Sequence, residues 1–205
     1  VWIFDCRGQL AQRVLHHGGQ QLLTQTMDIM PTLMDIFGAT PPTEVTASSL
    51  LPALGDTTIK NREACIYGVF GSAVNVTDGR YTCFIYPPNV HGGDLNQYTL
   101  MPLHMKEFFS IEELQEAKLI ESMPFSRSAP VLKIPATPKS PFYNHQGPGT
   151  LKDTESALFD LLADPLQNHP LDDAPVLHRM HRMAIAQMNM QHAPVEYFRR
   201  LDLTN

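Results

Sequence analysis

The chain has 205 residues, 43% of them hydrophobic and 18% charged, with a formal net charge of -6. This length suffices to bury a real core in one domain or two small ones, and the composition carries no signature of disorder. The acidic balance and the lack of any Lys/Arg cluster exclude a nucleic-acid footprint, and no apolar run approaches the ~20 residues of a membrane span.

Residues 1–4 (VWIF) form a short apolar run that ends at Asp5 and read as the end of a buried strand. Residues 8–21 are polar, with Gly18-Gly19, and read as a loop. A helix follows. Ile29, Met30, Leu33, Met34 and Phe37 recur at helical spacing and mark one buried face. Asp28 or Thr26 is placed to cap it, Pro31 is tolerable in its first turn, and Gly38 is a natural stop ahead of Pro41-Pro42.

From Glu63 the character changes to strands. Residues 64–70 (ACIYGVF), 73–77 (AVNVT) and 80–87 (RYTCFIYP) are β-branched and aromatic, and Asp78-Gly79 between two such runs is a strong hairpin signal. Residues 87–106 read as irregular. Ser110-Ile111-Glu112-Glu113 has capping-box spacing and predicts a short helix through Lys118. Residues 119–150 are Pro-rich loop, with one strand at 131–134. Residues 157–173 (ALFDLLADPLQNHPLDD) read as a strand, then a turn at Asp164-Pro165, then an acidic approach to the last helix. The last helix is predicted over 175–191, with Asp172 and Asp173 at its positive end and Leu177, Met180, Ala184 and Met188 as its apolar stripe. These elements predict an α+β fold: an antiparallel sheet of about four strands packed by helices.

Cys6, Cys65 and Cys83 include no C-x-x-C pair. They favour reduced thiols and a cytosolic setting over a disulfide scaffold, with a Cys65–Cys83 bridge as the alternative. Asn75-Val76-Thr77 has glycosylation spacing but reads as a strand end running into the Asp78-Gly79 turn. No signal peptide opens the sequence, and the first residue is Val1 rather than Met, so a processed or truncated product is expected.

Three stretches, in order, carry a resemblance. VWIFDCR followed by a Gly-containing loop and LLTQTMDIMPTLMDIFG resembles the core strand and helix near the start of the C-terminal region of sulfatases. REACIYGVFGSAVNVTDGRYTCFIYP resembles their C-terminal sheet, and ALFDLLADPLQNHPL the strand before the closing helix, with Phe159 at the usual Tyr position. The resemblance implies that residues 1–60 are the last strand and helix of a larger α/β catalytic domain, and that residues 61–205 are the C-terminal subdomain. It implies a parent enzyme that hydrolyses sulfate esters with a formylglycine nucleophile and a divalent cation, usually Ca²⁺. The phosphonate and phosphate ester hydrolases of the same superfamily match almost as well. A stand-alone ligand-binding module is the reading from outside this class.

The nucleophile motif of that family, C/S-x-P-x-R, is absent: Cys6, Cys65 and Cys83 lack its context, and in Ser122-Met123-Pro124-Phe125-Ser126-Arg127 the Arg comes one residue late. The tandem-Asp metal motifs are absent too. The chain is therefore expected to be non-catalytic and to hold no cofactor itself. Its implied roles are packing against the missing N-terminal catalytic domain, shaping the substrate cleft and forming a homo-oligomer. His178 and His181, at i and i+3 on the last helix, suit a shared metal but lack an obvious third ligand, and His16-His17 reads as a solvated loop pair. Residues 89–106 are richer, carrying His91, Asp94, Asn96, Tyr98, His104 and Lys106 around a Gly-Gly. Such a loop suits an anionic or hydroxylated substrate, and His91, Tyr98 and His104 are the expected substrate contacts. The competing reading is a surface loop packed by its own Tyr98, Leu100 and Met101.

Overall fold

A computed structural model describes residues 22–56, 58–92, 94–101, 103, 104, 108–138, 143, 151 and 155–203. The expected strand at 1–4, the loop at 8–21, Cys6, His16-His17 and Lys106 lie outside the described residues. The chain divides into two compact units, Val1–Cys65 and Ile66–Asn205.

In the first unit a 3-10 turn, Thr26–Asp28, leads into α1 (Ile29–Ile36), and α2 (Leu51–Gly55) follows the Pro-rich loop. The helix forms where its spacing predicts, but it buries a different face. Asp28, Pro31 and Thr32 are enclosed, whereas Met30, Leu33 and Phe37 are 43%, 45% and 82% exposed. Polar bonds decide this. The Thr32 hydroxyl donates to Asp28 O at 2.6 Å and accepts from Leu50 N at 2.9 Å, tying α1 to the start of α2. The Asp28 carboxylate accepts from Gln25 N at 2.8 Å, Asn61 Nδ2 at 3.3 Å and the Arg62 guanidinium. A carboxylate so supplied with donors can be buried without the penalty of an isolated charge. Asp28 thus reaches back to Gln25 and caps none of the N–H groups ahead of it, and Thr26 is exposed. Gly38, at φ +69°, does end the helix, with Ala39 N bonded back to Met34 O at 2.8 Å.

Among the described residues the second unit is α+β, with two antiparallel sheets. The first has four strands in the order β1 (Cys65–Tyr67), β2 (Val74–Thr77), β3 (Tyr81–Ile85), β7 (Ala157–Asp160). The Asp78-Gly79 hairpin sets its register, pairing Thr77 with Thr82 and Val76 with Cys83. The Asp78 side chain holds the turn by accepting from Arg80 N at 2.9 Å and Tyr81 N at 2.7 Å, while Gly79 takes φ +93°. β7 then pairs with β3, placing Leu158 opposite Cys83. Val76, Cys83, Ile85 and Leu158 share one face, on which α4 (Ala174–Met190) packs with Met180, Ala184 and Met188 fully buried. Arg179 of α4 closes the end of this layer, bonded to Asp78 Oδ2 at 2.7 Å above the Tyr81 ring. Asp173 caps α4 through Val176 N at 3.0 Å.

The segment between β3 and β7 holds a second sheet that hydrophobic patterning does not predict. Its three strands run in the order β4 (Asn96–Thr99), β6 (Val131–Pro135), β5 (Lys118–Ile120). β4 lies inside the stretch expected to be irregular, because NQYT is polar and its strand character comes from pairing with β6. The capping box at Ser110 forms, with Glu113 N to Ser110 Oγ at 3.2 Å and Ser110 N to Glu113 Oε2 at 2.8 Å. Its helix, α3 (Ile111–Gln115), is shorter than predicted because Lys118 already belongs to β5. A last short helix, α5 (Val195–Arg200), follows α4.

Cys65 and Cys83 are both free and buried, so no bridge joins them. Burial pushes the Cys83 thiol up to about 11. Asn75 is 9% exposed in the middle of β2, which leaves its amide out of reach of a glycosyl transfer in the folded chain.

Candidate functional site

Alternation along β4 puts Asn96 and Tyr98 on one face of the second sheet, and the β4–β6 register sets Lys133 directly opposite Tyr98. The Lys133 ammonium stands over the Tyr98 ring, 5.5 Å from its centroid. Helix α5 brings Glu196 onto this pair from its first turn, where a carboxylate suits the helix dipole. One oxygen, Glu196 Oε1, accepts from Lys133 Nζ at 2.7 Å, Asn96 Nδ2 at 3.4 Å and the Tyr98 hydroxyl. The Glu196 side chain is only 9% exposed, against 32% for Lys133.

The electrostatics follow from that packing. Burial pushes the Glu196 carboxyl up, but the hydrogen bonds from Lys133 and Tyr98 outweigh it and hold the group below its ordinary value. Lys133 is raised by its bond to Glu196. Tyr98 is raised by burial first and by its bond to the Glu196 carboxylate second. A carboxylate saturated with donors is a poor proton acceptor, so the cluster acts as a fixed charge that clamps α5 to β4 and β6.

One turn on, Arg200 fixes the other end of α5. Its guanidinium donates to Gly71 O at 3.0 Å, Val90 O at 2.5 Å and Gly92 O. The Tyr197 hydroxyl donates to Asn96 O, and Leu95, Ala136 and Tyr143 form the apolar core beneath, with Phe70 and Tyr197 packed against it.

The three expected contact residues each have their own partners. His91 is exposed, with Nδ1 2.9 Å from the Tyr143 hydroxyl. Tyr98 belongs to the Glu196 cluster. His104 is 10% exposed at its side chain, with Nε2 3.0 Å from Glu113 Oε1 and its ring 4.3 Å from that of Phe109. Leu100 and Met101, expected to pack the loop, are 52% and 54% exposed; Leu95 takes that place. Sequence reading missed Glu196, Arg200, Lys133 and Tyr143. A signal for α5 was present in Pro194, an acidic first turn and Arg199-Arg200 in the last turn.

His178 is exposed and His181 half-buried, and among the described residues no group of three or more His, Cys, Asp or Glu is placed to hold a metal ion. Ser126 is 3% exposed, and its hydroxyl is engaged locally, 2.7 Å from Ala129 O. No helix among the described residues is long and apolar enough to cross a membrane.

No protein-family model matches the chain, and no curated protein matches it. Among solved structures it is similar to a Bacteroides thetaiotaomicron protein labelled BT33494S-sulf, described in connection with metabolism of multiple glycosaminoglycans by a core genetic locus. Identity is 16%, the TM-score is 0.46, and the match covers 85% of this chain. The chain spans 28% of the length of that protein.

Proposed function

We propose that this chain is the C-terminal part of a sulfatase, a larger enzyme that hydrolyses sulfate esters. In this reading the formylglycine nucleophile and the divalent cation belong to an N-terminal catalytic part, and this chain is itself non-catalytic. One observation supports it above others. The three stretches that resemble sulfatases in sequence include two, VNVTDGRY and ALFDLLADP, that fold as neighbouring strands of one sheet under the closing helix α4. Elements far apart in the sequence, yet consecutive in the resemblance, meet in one packed layer.

The chain would shape the substrate cleft. His91, Tyr98 and His104 are the residues proposed to do so. His91 has the exposed ring and would touch substrate, while Tyr98 and His104, held by Glu196 and Glu113, would set the shape of the segment that carries them. Hydrolysis of an aryl sulfate, an aryl phosphate and a phosphonate monoester by the full-length protein tests the proposal. Sulfate turnover by the full-length protein and none by the 205-residue chain is expected. Preferential phosphonate or phosphate turnover, or equal activity of the isolated chain, would overturn it.

A further inference from the structure

Among the described residues, the buried guanidinium of Arg200 is paired with no carboxylate. Arg200 is 8% exposed, and its hydrogen bonds run to the carbonyl oxygens of Gly71, Val90 and Gly92. Among the described residues its hydrogen bonds are these three, against the five N–H donors of a guanidinium. Each ion pair among the described residues involves other side chains. Its neighbour one turn back, Glu196, is committed to Lys133. The ionisable groups nearest in influence are the phenols of Tyr143 and Tyr197. Carbonyl dipoles offset part of the cost of burying a charge, but an anion close by would offset more.

Room for one exists. Arg200 lines a cavity of about 220 Å³ whose other walls include Val69, Phe70, Val74, Tyr197 and Leu201. One cation among mostly apolar walls, with Ser72 the polar side chain of the lining loop, suits a single negative charge attached to an apolar body. A doubly charged, strongly hydrated oxyanion would lose its hydration against Val69, Phe70, Val74 and Leu201 at a cost that one cation offsets poorly. We infer that this cavity binds a small organic carboxylate, its charge against Arg200 and its apolar body against Phe70 and Leu201. The site is independent of the sulfate-ester reading and stands or falls apart from it.

Benzoate is a probe of suitable size, with neutral benzamide as its isostere. Each is titrated into the ¹⁵N-labelled 205-residue chain while the amide signals of Gly71, Ser72 and Ala73 and the Arg200 Nε–H are followed. Saturable shifts with benzoate at a Kd on the order of 1 mM are expected, with benzamide at least about tenfold weaker, as the loss of one charge-assisted bond implies. Arg200→Lys should weaken benzoate by about tenfold or more, since it keeps charge but loses the planar fork. Ser72→Phe adds bulk to the loop that lines the cavity and leaves Arg200 itself in place, and should abolish the shifts in a chain with unchanged circular dichroism. Should Arg200→Lys fail to fold, Ser72→Phe decides alone. Absence of saturable shifts, equal binding of benzamide, or undiminished binding to Ser72→Phe would each overturn the inference.

Discussion

Glu196→Ala is the substitution that most sharply probes how α5 is held. The wild-type carboxylate is 9% exposed and accepts from Lys133, Asn96 and Tyr98. Its removal takes the carboxylate acceptor from the amide of Asn96, a residue 6% exposed, and from the half-buried phenol of Tyr98. Each such loss costs about 1–2 kcal/mol, at the modest end for buried groups because a truncated side chain admits some water. Lys133, 32% exposed, turns to solvent and adds about 0–1 kcal/mol. The expected loss is therefore about 3 kcal/mol, read from urea unfolding with an unchanged m-value. Tyr98→Phe alone should cost about 1 kcal/mol, and a Glu196/Lys133 double-mutant cycle should return a coupling of about 1 kcal/mol. A loss below about 0.5 kcal/mol for Glu196→Ala, or zero coupling, would mean that the cluster decorates the surface and that α5 is held by Tyr197 and Arg200 alone.

Other consequences are as direct. Met180, wholly buried beneath the first sheet, should lose about 2–5 kcal/mol on Met180→Ala, and thermal unfolding that moves by no more than a surface substitution would contradict the packing described. Asp173→Ala removes the cap on Val176 N and should cost about 1 kcal/mol, recovered in part by Asp173→Asn. The His181 imidazole is depressed by burial first and by the nearby His178 second. A base depressed on folding contributes stability that is complete above its unfolded value of about 6.5 and lost as pH falls through the folded value. His181→Gln should accordingly flatten the decline of stability just below pH ~6.5, leaving the later decline due to Asp78 and Glu196, depressed carboxyls that titrate at more acidic pH. An unchanged slope would refute the assignment.

Local chemistry made much of the fold legible. Asp78-Gly79 specifies its hairpin because the turn needs a positive φ and a side chain that accepts backbone N–H groups, and both requirements lie within four residues. The Ser110–Glu113 box and the Met180–Ala184–Met188 stripe are equally local. Strand β4 is different: Asn96, Gln97, Tyr98 and Thr99 show no apolar alternation, and their strand geometry depends on β6, more than thirty residues away. The buried face of α1 escaped for a related reason. Periodicity ranks Leu33 and Phe37 above Asp28 and Thr32, yet Arg62, Asn61 and Leu50 supply partners that make the polar face the one enclosed. In the candidate site, residues 89–106 stood out by composition, but the structure pairs His91 with Tyr143, Tyr98 with Glu196 and His104 with Glu113, each with its own partner. Glu196, Lys133 and Arg200 were not legible, since nothing local to Glu196 announces that a strand tyrosine and lysine will converge on it.

The most direct measurement is to determine the coding sequence immediately upstream of the codon for Val1. A continuous open frame carrying C/S-x-P-x-R and paired Asp ligands is the predicted result, and it would make this chain the tail of a formylglycine sulfatase. A start codon directly preceding Val1 behind an in-frame stop, with no such motif, would contradict that account and leave a stand-alone domain.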